Sequence, residues 1–492
     1  MDPTETYQSV FSGRYSNPTF LKIFSEKNKI VTWRKLWLML AESEKELGFG
    51  PIKQEHLDEL QANLENIDWT FQRKTEKETR HDVMSHVKTF EECCPAVKKA
   101  GILHAGATSA FIQDNADIII IRDALDFLLG RLATVLDRIG KFCEKYKCLP
   151  TVGRTHYQAA TMVTVGKRGA IWAQDLLMAF QRLVYERNHL RFRGIKGATG
   201  TQASFLELFD GDESKVEKLD EILTEKAGFS SANSGGAFII TGQTYTRQQD
   251  VCVLAPIAAL AAAVSKISMD LRILQEQGEI FEPFEPNQIG SSAMPYKRNP
   301  MRAERCCGLA RQLMNLYPNT LQTEAVQGFE RTLDDSSNRR IVIPEAFLCA
   351  DVILTTLQNI FDGIVVREDK IRQNVDVELP FLILETILMK LTKSGESRQE
   401  AHEKIKKVAM QAHETRQRNE PIDLFVIIDQ LGYTAYFQPV ADQLRSMLAD
   451  KDRRQLIGLC PKQVKTFLEK ELWPALKPFQ RMISENKAEL NV

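Results

Sequence analysis

Four polar stretches of this chain combine residue types that move protons or hold anions: TRHDVMSHVK (79–88), LHAGATSA (103–110), GRTHYQAA (153–160) and GSSAMPYKRNPMRAER (290–305). The last is the richest. A serine is a poor base unless its alkoxide is stabilised by a nearby cation or by oriented donors. Lys297 is the cation available to Ser291, and the turn-forming Gly290, Pro295 and Pro300 leave backbone N–H groups free to donate. The stretch therefore reads as a serine with its own electrostatic support, carried on a hinged lid. His156 follows Gly153, Arg154 and Thr155 at what reads as the start of an apolar helix, and imidazole titrates where proton transfer at neutral pH needs it. A helix-start histidine bonded to backbone fits the same residues. His81 taken alone fits an ordinary surface or interface histidine. Thr108 and Ser109 fit either a cap for a helix beginning near Asn115 or an anion site.

Several familiar chemistries fail on spacing. TVGKRGA has Thr161 where a phosphate loop needs its first glycine and Arg168 where it needs Ser or Thr. Glycines 194, 197 and 200 do not form GxGxxG, and they follow a helical pattern rather than a strand. HEKIK at 402 and HETRQ at 413 lack the second histidine of a zinc helix, so no metal is expected. Nine cysteines, two pairs of them adjacent, make no even framework and no CxxC, which favours reduced thiols in a cytoplasmic setting.

Long amphipathic rods must position these groups. Apolar residues recur at three and four over about 114–147, 162–192, 244–280, 301–326 and 342–364, and few stretches alternate as strands do. Runs of that length predict helices of roughly 30–50 Å and an all-α bundle. The polar motifs lie between the rods, at their ends. Shorter, more polar helices before residue 108 and after 366 predict three domains: 1–108, a central long-helix bundle at 109–366, and 367–492.

A net charge of −1 provides no field for nucleic acid or a membrane surface, although a local basic pocket for a small anion is compatible with it. The run VCVLAPIAALAAAV at 251–264 is shorter than the ~18 residues a span needs and contains Pro256, so it reads as a buried core helix. MDPTETYQSV shows no basic segment followed by an apolar run, so no secretory signal is expected and a cytoplasmic location is.

GSSAMPYKRNP closely resembles the signature loop of the fumarase/aspartase superfamily, whose members eliminate fumarate from succinyl-bearing substrates. RHDVMSHV, GATS, GRTHYQAA, KGATGTQASF, ITGQTYTR, SSAMPYKRNPMRAERCC and FERTLDDSSNRR occur in the order of its adenylosuccinate-cleaving branch, in the animal type rather than the shorter bacterial one. The ordered set extends from about residue 14 to 340 and is highly specific. Ala159, where that branch commonly has proline, and the long SSANSGGAFI segment depart from the pattern.

The resemblance implies a cofactor-free carbon–nitrogen lyase of purine nucleotide synthesis, acting on adenylosuccinate and on the succinyl-carboxamide imidazole ribotide SAICAR. It implies Ser291 as base, Lys297 and Asn299 as support for the forming anion, His156 as acid and Glu304 as the partner of that imidazole. Arg14, Tyr15, Arg331, Ser336 and Arg340 would hold the phosphate, with Arg80, His81 and Asp82 along the phosphate and ribose. Thr108, Ser109, Thr155 and Gln243 would take the succinyl carboxylates, and Arg305 would help enclose the nucleotide. Arg339 reads as a structural neighbour of Arg340. The superfamily's fold implies a homotetramer whose helices form a joint bundle, each active site drawing on three subunits. A sister lyase such as argininosuccinate lyase is the nearest alternative, and the phosphate-directed arginines argue against it; a non-catalytic relative of the fold is the other, and intact Ser291, Lys297, His156 and Glu304 argue against that.

Overall fold

The computed structural model describes residues 5–230, 235–485, 488 and 490. Residues 1–4 of the N-terminal stretch and 231–234 of the long SSANSGGAFI segment lie outside them. The chain is helical throughout, with two small two-stranded ribbons. Five long helices dominate: α4 (Ser109–Tyr146), α5 (Val165–His189), α6 (Gln248–Glu276), α7 (Met301–Ala325) and α8 (Asp334–Asp362). They pack side by side, α6 against α7 and α4 against α5, with α8 across α4 and α7. Their inner faces are built from residues such as Leu128, Leu132, Leu136, Trp172, Leu176, Leu260, Val264, Ile353 and Leu357, all fully buried. Each such side chain removed from water contributes roughly 1.5–3 kcal/mol, which is why the periodic stripe specifies the bundle.

Before the bundle come α1 (Glu26–Glu46), α2 (Trp69–Thr79) and α3 (Asp82–Cys93). Ser25 caps α1 by accepting from the Asn28 N–H at 3.2 Å, and Asp68 caps α2 through the N–H groups of Thr70 and Phe71. After the bundle, shorter helices including α9 (Glu368–Leu382), α10 (Leu384–Lys393) and α11 (Arg398–Gln417) pack on one another.

Two helices start earlier than periodicity predicts. The first rod begins at Ser109 rather than 114, because Ala110, Phe111 and Ile112 already pack inward; Asp114 and Asn115 are buried as well and bonded, Asp114 to Arg247 and the Tyr245 N–H, Asn115 to the Arg193 N–H. The fifth begins at Asp334 rather than 342, because Asp335 and Arg339 also point inward. Residues 153–160 do not open a helix. They form the turn of an antiparallel hairpin, β1 (Pro150–Thr155) with β2 (Gln158–Thr164), and Thr164 then caps α5 by accepting from the Lys167 N–H at 3.1 Å. A second ribbon, β3 (Ile280–Phe281) with β4 (Val365–Val366), ties the segment before the 290–305 stretch to the end of α8.

Helices α6 and α8 are long and apolar enough by composition to cross a bilayer, although the 251–264 run alone is not. Most of each apolar window, 61% and 83%, is buried inside the bundle, as core helices require.

Candidate active site

The 290–305 stretch closes on itself. Asn299 donates its side-chain amide to the Gly290 carbonyl at 2.9 Å, joining the ends of a compact surface loop. A methyl group on Gly290 would run into the Lys297 carbonyl oxygen, so only glycine allows this neck. At its base Ser291 Oγ accepts from the backbone N–H of Met294 at 3.1 Å and of Ala293 at 3.4 Å. Lys297 is exposed on the far limb, and its own N–H bonds the Met294 carbonyl. The preceding acidic residues anchor the loop to α7: Glu282 accepts from the first-turn N–H groups of Arg302 and Ala303, and Arg302 donates to the Pro283 carbonyl at 2.6 Å.

His156 and Tyr157 form the two-residue turn of the β1–β2 hairpin with φ of +53° and +61°. A turn of this hand matches the twist of the strands but favours Asn and Gly, so a histidine there is held against local preference. The register slips at Gly153, where a Cβ would stand 2.6 Å from the Thr161 carbonyl oxygen. Thr155 and His156 are exposed, and the imidazole makes no hydrogen bond among the described residues. It opens onto a surface cavity shared with Asp270 of α6 and with Gln277, which caps that helix's C-terminus.

Glu304 lies in the first turn of α7, 4.0 Å from Arg272 of α6. At 100° per residue, Arg272 projects from the side of α6 opposite Asp270 and Gln277. Within one chain α6 therefore separates Glu304 from His156.

Thr108 and Ser109 top the N-terminus of α4. Thr108 occupies the capping position without making a side-chain cap, leaving its hydroxyl at the positive end of a 38-residue helix. Gln243 donates to the Ala198 carbonyl at 2.9 Å and accepts from Arg331 Nη1 at 2.8 Å.

The nucleotide-directed residues fall into two groups. Arg340 Nη2 meets Asp82 Oδ2 at 2.9 Å, where Gln113 also donates. Burial opposes the charge on Asp82, but the Arg340 bond and the Val83 N–H outweigh it and hold the carboxyl below its usual pKa. Arg80, in a left-handed conformation, ends α2, and His81 caps α3 by accepting from the Met84 N–H at 3.3 Å. Elsewhere Arg14 and Arg305 both approach the Tyr15 ring, at 5.9 and 5.1 Å from its centroid.

A cavity of about 220 Å³ lies beside Arg331, Ser336 and Arg340. Its floor is an ionic network that the sequence concealed. Arg247 pairs with Asp114 and Asp335; Arg339 pairs with Asp250 at 2.6 Å, Asp117 at 2.9 Å and the Tyr245 hydroxyl at 2.5 Å. Arg339 is thus committed to this network while it also lines the cavity. Gln113 and Lys29, which also face this cavity, were missed because each sits in a helical pattern whose inward face only the packing reveals. Among the described residues no cluster of three or more His, Cys, Asp or Glu side chains could hold a metal ion.

Residues 12–315 match the family model described as Lyase, and residues 380–467 the one described as Adenylosuccinate lyase C-terminus. The chain is 48% identical to the adenylosuccinate lyase of Caenorhabditis briggsae over 97% of its own length and 98% of the relative's. It is 45% identical to that of Schizosaccharomyces pombe over 100% of both chains. The fold is similar to a fumarate lyase from Mesorhizobium sp. BNC1, at TM-score 0.78 and 22% identity, covering 94% of this chain and 100% of that one. On this full-length similarity, the chain is a lyase that belongs to the adenylosuccinate lyase family.

Proposed function

We propose that the chain eliminates fumarate from adenylosuccinate, giving AMP, and from SAICAR, giving the corresponding carboxamide ribotide of purine synthesis. The observation that carries the chemistry is Ser291 Oγ accepting two backbone N–H groups within a loop that also bears Lys297. Donors that bond the hydroxyl oxygen stabilise its alkoxide more strongly, which is what a serine base requires. In this reading Ser291 removes the proton from the succinyl carbon next to a carboxylate. The electron pair passes into that carboxylate as an aci-anion, supported by Lys297 and by the second amide N–H of Asn299. Re-formation of the carboxylate makes the carbon–carbon double bond and breaks the carbon–nitrogen bond, while His156 protonates the departing nitrogen from the opposite face. Thr108, Ser109, Thr155 and Gln243 hold the succinyl carboxylates. Arg14, Tyr15, Arg331, Ser336 and Arg340 hold the phosphate, Arg80, His81 and Asp82 line the phosphate and ribose, and Arg305 encloses the nucleotide.

The acid's partner, Glu304, lies across α6 from His156 in the same chain, which supports a homotetramer with each site shared by three subunits. Large exposed apolar side chains border the motifs: Tyr157, Ile239, Ile240, Ile289, Tyr296 and Phe329 are all at least 72% exposed in the single chain. Apolar surface of this kind marks a place of association. The division at residues 108 and 366 and a cytoplasmic location belong to the same proposal, the latter supported by nine unpaired cysteines.

The deciding experiment follows fumarate release from adenylosuccinate and from argininosuccinate. Turnover of the first and not the second is expected. No turnover of adenylosuccinate by the assembled protein overturns the assignment.

A further inference from the structure

We propose that Lys29 is a binding residue for the phosphoryl end of the nucleotide, an inference that rests on the reading above. Lys29 and Trp33, one turn apart on α1, line the same cavity as Arg331, Ser336 and Arg340.

Most cations around this cavity are already committed. Arg247 and Arg339 are neutralised by the buried aspartates of the floor, and Arg340 is held by Asp82. A phosphate dianion placed above Asp114, Asp117 and Asp335 would meet carboxylates unless further positive charge faces it. Beside Arg331, which bonds the neutral Gln243 amide, Lys29 supplies that charge. Among the described residues its one ion-pair partner is Glu26, 2.9 Å away on the same cavity wall and 60% exposed, a partner that solvent can replace. The ammonium lies 5.4 Å from the centroid of the Trp33 ring, which holds it toward the cavity, whereas Lys27 pairs outward with Glu65. Two buried donors of residues lining the cavity, Arg331 Nε and Trp33 Nε1, have no acceptor among the described residues. An alternative in which Lys29 only solvates α1 predicts no discrimination between ligands that carry phosphate and ligands that do not.

The test compares Lys29→Met and Lys29→Arg with the wild-type chain in adenylosuccinate turnover and in inhibition by the two products. AMP carries the phosphoryl group and fumarate does not. Loss of a charge-assisted contact predicts a roughly 10- to 100-fold rise in the adenylosuccinate KM and in the AMP inhibition constant of Lys29→Met. Its kcat should stay within about threefold and its fumarate inhibition should be unchanged, while Lys29→Arg recovers most of the affinity. Unchanged AMP inhibition in Lys29→Met overturns the proposal, and so does equal weakening toward AMP and fumarate. Lys29→Gln serves the same comparison if Lys29→Met does not assemble. A wild-type chain inactive on adenylosuccinate overturns the proposed function instead. AMP binding by calorimetry on the wild-type and variant chains then decides Lys29 by the same criterion.

Discussion

In the proposed mechanism Ser291 is the base, its oxygen fixed by two backbone donors, so its replacement should separate chemistry from binding. Ser291→Ala is expected to lower kcat by roughly 10²- to 10⁴-fold while leaving AMP affinity near wild type, as read by steady-state kinetics and calorimetry. A parallel loss of AMP binding would show that the loop, rather than the hydroxyl, had been damaged. His86, five residues beyond His81 in the same motif, has no part in this chemistry and makes a different prediction. It is buried with Trp33 and Trp69 edge-on around it, its Nδ1 has no partner among the described residues, and burial pushes its pKa down to about 4. Between pH 6.5 and about 4 the unfolded chain takes up a proton that the folded imidazole refuses, so stability falls as pH falls through that window. The contribution is about 2 kcal/mol at pH 5. Urea midpoints at fixed chain concentration should drop from pH 7 to pH 5, and His86→Gln should flatten part of that slope. An unchanged slope would assign the acid sensitivity elsewhere.

At the level of elements, the β1–β2 hairpin and the 290–299 loop each depend on a glycine beside a residue of the proposed mechanism, His156 and Ser291. In the hairpin, Gly153 lets the backbones of β1 and β2 approach at the register slip. A Cβ there would be driven against the Thr161 carbonyl and Val163, shifting the strand end that carries Thr155 and His156. A displacement near 1 Å can cost about 10²-fold in rate. Gly153→Ala is therefore expected to lose activity on that order with a much smaller fall in melting temperature, since the hairpin tip is exposed. Melting that falls in step with activity would mean the change had unfolded the ribbon. The ionic network beneath α8 acts at the same scale. Arg339 bridges α4 through Asp117 and α6 through Asp250, while its neighbour Arg340 reaches Asp82 at the start of α3, so the packing of four helices sets where the nucleotide-directed side chains stand.

For the whole molecule, the separation of His156 from Glu304 by α6 leads to a mixing experiment. Ser291→Ala and His156→Ala chains, each inactive, should regain activity when their subunits exchange, because a hybrid can combine an intact serine from one chain with an intact histidine from another. With random assembly from equal amounts, half of the sites receive an intact serine and half of those an intact histidine, about one quarter in all. No recovery despite demonstrated exchange would place both groups in one chain and sink the shared-site reading.

The sequence by itself determined the bundle and its chemistry. Five apolar stripes of helical period must be buried together, and the ordered motifs from TRHDVMSHVK to FERTLDDSSNRR contain the groups proposed for proton transfer and anion binding at rod ends. Periodicity could not assign buried polar residues, since Asp114, Asn115, Asp335 and Arg339 look like surface until their partners, up to 222 residues away in sequence, are brought against them. It likewise missed the β1–β2 ribbon, because strands of six and seven residues beside a long helical pattern leave too short a signal. Only the tertiary structure decided that Ser291 faces two N–H donors, that Lys29 shares a cavity with Arg340, and that α6 stands between His156 and Glu304. Those are relations across space, and they depend on which helix faces pack together rather than on which residues the chain contains.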